Sequence, residues 1–177
     1  MLQVQKYIQQ IGIEKSSIVA DFGSGSGLFA KYIYNKFKPK KIYAVELHED
    51  LSYSLEKEIK KFKMSEGESK LISVWGDIED VGGTRIKDAS VDIVLLINTF
   101  LLLPWKRNCV LEAKRVLKKG GKVLLIDWHS HLGESIGHKK ILLHEDFIKY
   151  MWQEGGFEIV SKLDKTEYHN VFVLQKK

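Results

Sequence analysis

A single cysteine, Cys109, stands in 177 residues. One thiol excludes an internal disulfide and any cysteine-rich zinc site, and a reducing cytoplasm is the expectation. No apolar run approaches the roughly 18–20 residues needed to cross a bilayer, so no membrane span is expected. The first residues, Met1–Ile8, are amphipathic and lack the hydrophobic stretch of a signal peptide. Proline is nearly as scarce, with two in the chain, and both sit at the edges of helical patterns. Repeats, low-complexity tracts and interdomain linkers are missing as well. Residues 1–177 therefore read as one domain, long enough for a full core. Neither sign of charge is in large excess, since 28 Lys and Arg face 23 Asp and Glu for a net charge of +5. Much of that excess lies on helix faces such as Lys57, Lys60, Lys61 and Lys63, with Glu56 and Glu58 interleaved. Mixed signs of this kind read as a solvated face, and a nucleic-acid footprint is the less favoured alternative.

What is present is an alternation of strand and helix patterns. Helical spacing covers residues 2–11 and 28–37, where Pro39 stops the second helix, and the stripe Leu51, Leu55, Ile59 and Phe62. Residues 104–117 predict a further helix, with Pro104 near its start and Gly120-Gly121 ending it. Another covers 145–154. Short apolar runs predict strands at 18–22, 41–46, 70–75, 91–97 and 122–127. Such alternation forces a parallel sheet with helices on both faces. The chain closes with strands at 157–163 and 168–174. Their connection is too short for a parallel crossover, so they should form an antiparallel hairpin.

The first strand runs into Asp21-Phe-Gly23-Ser24-Gly25-Ser-Gly27, and a helix follows. In an open parallel sheet, ligands bind outside the carboxyl ends of the strands, near the point where strand order reverses. The dinucleotide fingerprint is G-x-G-x-x-G, whereas the spacing here is G-x-G-x-G behind an acid. The Gly-Lys-Ser/Thr of a phosphate loop is absent. Nineteen residues beyond Gly27, Glu46 ends the second strand, where an acid suits a ribose.

This loop resembles the first motif of class I S-adenosylmethionine-dependent methyltransferases, and the order of elements follows the same family over residues 10–177. In pattern the chain is most similar to the broad group that includes ubiquinone- and menaquinone-biosynthesis C-methyltransferases. The resemblance implies a doubly wound, Rossmann-like α/β fold. Its seven-stranded sheet has the order 3-2-1-4-5-7-6, with strand 7 antiparallel. It also implies S-adenosyl-L-methionine as cofactor. Amides of Gly23, Ser24, Gly25 and Gly27 would meet its amino-acid part, and Asp21 its ammonium. Glu46 would accept from both ribose hydroxyls, and Leu47 would pack on the adenine. Val74-Trp75-Gly76-Asp77-Ile78 resembles the family's third motif, in which Asp77 would accept from the adenine amino group and the backbone of Ile78 would meet the ring. Glu79 or Asp80 stands in if the register is shifted. Asn98 would contact the methionine end.

Methyl transfer to an activated carbon needs positioning and, for some acceptors, a base. The cluster Asp127-Trp128-His129-Ser130-His131 lies on the appropriate rim. His129 has the chemistry to remove a proton, Asp127 could orient it, and Trp128 is the aromatic expected to touch a substrate. A polar loop with no catalytic part is the competing reading, and spacing argues against a metal site here. No Asn/Asp-Pro-Pro-Tyr or Pro-Cys signature is present, so the methyl acceptor is unidentified. A small molecule is favoured over RNA or protein, and an oligomer is possible. The short N-terminal segment and the short stretch from Asp127 to Glu145 predict an open site, a large substrate, or a lid from another subunit. The alternatives from other classes are an NAD-dependent oxidoreductase and a non-catalytic binding module on the same fold.

Overall fold

The computed structural model describes residues 2–61, 70–128, 145–162 and 169–177. Helix α1 (Leu2–Gln10) precedes strand β1 (Ile18–Phe22), followed by α2 (Leu28–Phe37), β2 (Lys41–Glu46), α3 (Glu49–Lys61) and β3 (Lys70–Trp75). After β4 (Val91–Ile97) come a 3₁₀ turn (Phe100–Leu102), α4 (Lys106–Val116), β5 (Leu117–Trp128), α5 (Glu145–Glu154), β6 (Phe157–Lys162) and β7 (His169–Lys176). The strands form one sheet of order β3-β2-β1-β4-β5-β7-β6. Pairings are parallel from β3 through β5, while β7 is antiparallel to both β5 and β6. This is the architecture expected from the resemblance.

Successive strand residues point to opposite faces, and the core divides accordingly. On one face Ala20, Phe22, Val94, Leu96, Val123 and Leu125 pack with Cys109, Val110, Val116, Ile148 and Trp152 of α4 and α5. On the other, Val19, Ile93, Leu95, Leu124 and Ile126 pack with Ile8, Ala30, Ile33, Leu55 and Ile59 of α1, α2 and α3. Strands covered on both faces need apolar residues at every position, which is why Val91–Ile97 reads as an almost unbroken run. Helix α1 spends its apolar stripe on this core through Val4, Tyr7 and Ile8, and none of its residues lines the cavity described below.

Two local expectations are corrected. Helix α4 ends at Val116, and the chain enters β5 at Leu117. Gly120-Gly121 lies inside that strand, where the pairing jumps from Val91↔Leu117 to Ile93↔Lys122. Gly120 has φ +74°, and a Cβ on Gly121 would come within 2.9 Å of the Lys118 carbonyl oxygen. The glycines therefore turn an excursion within the strand instead of stopping the helix. In α3, Leu55 and Ile59 are buried, but Leu51 is exposed. Phe62, Leu163 and Tyr168, also named from the pattern, lie outside the described residues.

Candidate functional site

Strand β1 delivers its last residues to the reversal point of the sheet, between β2 and β4. The amides of Gly23 and Ser24 both donate to the Val45 carbonyl, at 3.0 and 2.9 Å, which folds the loop against the end of β2. Gly23 has φ +76°, and a Cβ there would lie 2.5 Å from the Thr99 side chain. Only glycine combines that torsion with so close a neighbour. Gly27 begins α2, and its own amide donates to the Ser24 carbonyl at 2.8 Å.

Glu46 is buried at the end of β2. Its Oε2 accepts from the Gly25 amide at 2.8 Å and its Oε1 from the His48 amide at 3.0 Å. The glycine loop thus orients the carboxylate, and each oxygen retains a lone pair for another donor.

Around this carboxylate opens a cavity of about 400 Å³. Gly23, Val45, Glu46 and Leu47 form one side, and Gly76, Asp77, Ile78 and Glu79 another. Asn98, Thr99 and the stretch Leu102–Pro104 complete it, with His48 and Leu51 at the edge. Asp77 fixes its own turn, because its Oδ1 accepts from the Glu79 amide at 2.7 Å. Leu47 and Trp75 are tied together, since the Trp75 indole N–H donates to the Leu47 carbonyl at 3.0 Å. The structure thus brings Gly23, Glu46, Leu47, Asp77, Ile78 and Asn98 of the sequence-derived set to one cavity, with Asp21 at the end of β1 and Ser24, Gly25 and Gly27 in the loop beside it.

Sequence reading missed Leu51, Thr99 and Leu102–Leu103 as lining residues. The sequence pattern places Leu51 in the helical stripe of α3, and the signal that sets it apart is its place in the first turn of the helix after β2. Leu102 of the cavity wall and Trp105, next in sequence to the lining residue Pro104, are 67% and 69% exposed.

Among the described residues, three buried polar atoms in and beside the cavity find no hydrogen-bond partner: Asp21 Oδ2, Ser24 Oγ and Asn98 Oδ1. Burial pushes the Asp21 carboxyl up to about 7 against the lowering effect of the Ala30 amide, with Glu46 nearby adding to the rise. Asn98 holds a left-handed backbone, φ 54°, directly after β4. Unpaired buried oxygens are costly, and a ligand carrying an ammonium and hydroxyl or amide donors would satisfy them. A nearby carboxylate for a ribose and apolar walls for a purine complete the match, whereas the amides of Gly23, Ser24, Gly25 and Gly27, expected to meet the amino-acid part, each donate within the protein. The residues present fit S-adenosyl-L-methionine.

Asp127 sits apart from this set. Its Oδ2 accepts from the Leu101 amide at 2.7 Å and its Oδ1 from the Trp128 amide at 2.9 Å. Burial raises its carboxyl to about 6, moderated by those bonds and by Lys106. It therefore holds the 3₁₀ turn that carries the cavity wall. Trp128 stacks against His169, with ring centroids 4.5 Å apart. His129, Ser130, His131, His138 and His144 lie outside the described residues.

A methyltransferase-domain family model matches residues 20–125. A comparison with curated proteins found no match. Among solved structures, a SAM-dependent methyltransferase from Aquifex aeolicus superposes with a TM-score of 0.83 at 18% identity, covering 98% of this chain and 89% of that one. A protein from Sulfolobus solfataricus, named as a type 11 methyltransferase, gives 0.72 at 25% identity, with coverages of 98% and 92%. The methyltransferase-type chain in a complex with the Trm112 methyltransferase activator of Haloferax volcanii gives 0.76 at 14%, with coverages of 98% and 87%. The matched model spans more than half of the sequence, and so this chain belongs to the methyltransferase-domain family, with S-adenosyl-L-methionine as its cofactor.

Proposed function

We propose that this protein transfers a methyl group from S-adenosyl-L-methionine to a small, uncharged or cationic acceptor. The observation that carries the reading is the cavity itself. A ribose-type carboxylate, Glu46, lines it, as does Asn98 with its unpaired oxygen, and the unpaired oxygens of Asp21 and Ser24 lie in the adjoining end of β1 and its loop. When bound, the cofactor supplies a sulfonium-activated methyl carbon. The chain supplies position. Glu46 would take the ribose hydroxyls, Asp77 the adenine amino group, and Leu47 and Ile78 the ring faces. Asp21 would hold the ammonium and Asn98 the methionine backbone, beside the glycine loop.

The acceptor class rests on the lining that the proposed donor contacts leave free, Glu79 with Leu102 and Leu103, and on a described lining without lysine or arginine. Acids repel a phosphodiester chain, and leucines favour a partly apolar molecule. Where the acceptor atom carries a proton, His129 would remove it, and Asp127 would serve as a positioning residue through the Leu101 turn. A protein partner also belongs to the proposal, since a structural relative is found with an activator.

Calorimetry with S-adenosyl-L-methionine, its demethylated product and NAD tests the donor assignment. Binding of the two sulfur ligands without NAD supports it, and NAD binding alone would replace it with an oxidoreductase. Labelled methyl transfer into fractionated lysate then tests turnover. Label in small molecules supports the acceptor class, whereas label in RNA overturns it. Donor binding without any transfer leaves a binding module. Glu46→Ala should weaken donor binding by about 1–3 kcal/mol, and unchanged affinity would remove Glu46 from the ribose.

A further inference from the structure

The charges of this molecule are sorted along the strand direction. The cavity rim at the carboxyl ends carries Glu46, Asp77 and Glu79. The opposite pole, where the parallel strands begin, carries lysines. Lys40 precedes β2 and Lys70 opens β3, joined by a hydrogen bond from the Lys70 amide to the Lys40 carbonyl. Lys15 lies in the turn before β1. Lys118 and Lys119 are thrown outward by the excursion in β5, and Lys122 resumes the strand beside them.

Lys15, Lys40, Lys70, Lys118 and Lys119 are all exposed. Among the described residues, an ion pair engages Lys118 alone, to Asp92 at 2.6 Å. Asp92 is spent twice, because its other oxygen accepts from the Ile18 amide at 2.8 Å. Between the turn at 12–17 and the β5 excursion lies a depression of about 370 Å³, lined by Ser16, Ser17, Lys118, Lys119 and Lys122, with Glu14 and Asp92 the acids in it.

We infer that this lysine pole is a docking surface for the phosphodiester backbone of a nucleic acid, on the side of the sheet away from the donor cavity. Neighbouring strands lie about 4.8 Å apart, so the row from β3 across to β5 spans roughly 20 Å. That length matches several consecutive phosphates. The pole also lacks what a membrane surface would require. The exposed large apolar side chains, such as Leu47, Trp75, Leu102, Trp105, Phe147 and Tyr150, lie elsewhere, leaving no anchor for lipid insertion among the described residues. Cations without apolar anchors suit backbone electrostatics, which are sequence-independent and strongly dependent on salt. A nucleic acid held here is a docking partner, not the acceptor, so the inference does not depend on the methyl-transfer reading.

The test is fluorescence anisotropy with a labelled 20-nucleotide single strand and a 20-base-pair duplex, in 50 and 200 mM KCl. About four phosphate contacts predict binding of the single strand roughly 50-fold weaker at the higher salt. Combined Lys40→Glu, Lys70→Glu and Lys119→Glu should weaken binding at least tenfold, with melting and calorimetric donor binding unchanged. The same three sites changed to Gln provide the readout should the reversal fail to fold. A control reversing Lys6, Lys57 and Arg107, all exposed and none at a strand start, alters net charge equally and should leave binding near wild type. Equal losses in both triple variants, no binding at 50 mM KCl, or capture by phosphatidylserine vesicles in place of the oligonucleotides would each overturn the inference.

Discussion

Asp21 shows how one carboxylate can serve binding at the expense of stability. Its folded-state pKa, about 7, lies well above the ordinary 3.8 because of burial. A raised acid holds its proton more tightly in the folded chain. Its stability contribution is therefore greatest at low pH and falls as pH climbs from about 4 to about 7, by on the order of 4 kcal/mol. Asp21→Asn should raise the melting temperature of the donor-free protein at pH 8 by several degrees and change it little at pH 4. A donor ammonium beside Asp21 favours the ionised form, so binding should release a proton near pH 7 and tighten as pH rises from 6 to 8. Calorimetry in buffers of different ionisation enthalpy reads that proton, and Asp21→Asn should abolish it. Asp127 is buried too, but both its oxygens already accept from backbone amides. Asn there turns an NH₂ toward an amide donor, and Asp127→Asn should cost about 1–3 kcal/mol in denaturant unfolding. His129→Ala should leave stability near wild type and lower kcat. A normal turnover rate across pH 6–9 would remove His129 as the base.

At the scale of elements, the crossover from β3 to β4 is the least conventional part of the fold. Residues 76–90 contain no helix, yet they carry Gly76–Glu79 of the cavity wall. Their anchor is Glu112 of α4, fully buried, which accepts from the Gly82 amide at 2.7 Å, from the Thr84 hydroxyl at 2.5 Å and from Arg115 Nε at 2.8 Å. Burial alone would raise this carboxyl, but its bonds to Arg115, Thr84 and Gly82 outweigh that and hold it below the usual range. Glu112→Ala leaves Arg115 on Asp88 and the Ile86 carbonyl but strips the Gly82 amide and Thr84 hydroxyl of their acceptor and frees the crossover. It should cost about 1–3 kcal/mol and weaken donor binding through Asp77 and Ile78, neither of which it touches. Unfolding and donor titration of one variant check both effects. This coupling was not legible in the sequence, because Glu112 and Thr84 are 28 residues apart and Glu112 falls on a helix where acids are usually solvated. The strands and the glycine loop were legible, since Ile18–Phe22 and Val91–Ile97 are apolar throughout and Gly23, Gly25 and Gly27 each meet a backbone requirement that side chains resist. The β5 excursion was not, because Gly120-Gly121 after a helical pattern fits a helix stop equally well until the pairing with β4 is known.

For the whole molecule, charge sorting carries consequences for the reaction as well as for docking. S-adenosyl-L-methionine bears a sulfonium and an ammonium against one carboxylate, a net charge of +1 at neutral pH. Its demethylated product has lost the sulfonium charge and is neutral overall. An acidic mouth that holds Glu46, Asp77 and Glu79 therefore attracts the donor more than the product, and this preference comes from charge, not from contacts the two ligands share. Such attraction is screened over a Debye length that shrinks from roughly 30 Å at 0.01 M salt to about 8 Å at 0.15 M. Raising KCl from 10 to 300 mM should weaken donor binding by about 3- to 10-fold while changing product binding less than twofold, both read by calorimetry at constant pH. On the proposed reaction, product release would follow from the charge pattern, because the site would lose affinity for its ligand at the step that removes the positive charge. If donor and product affinities instead fell in parallel with salt, the discrimination would reside in packing around the sulfur, and the mouth would have no electrostatic part in turnover.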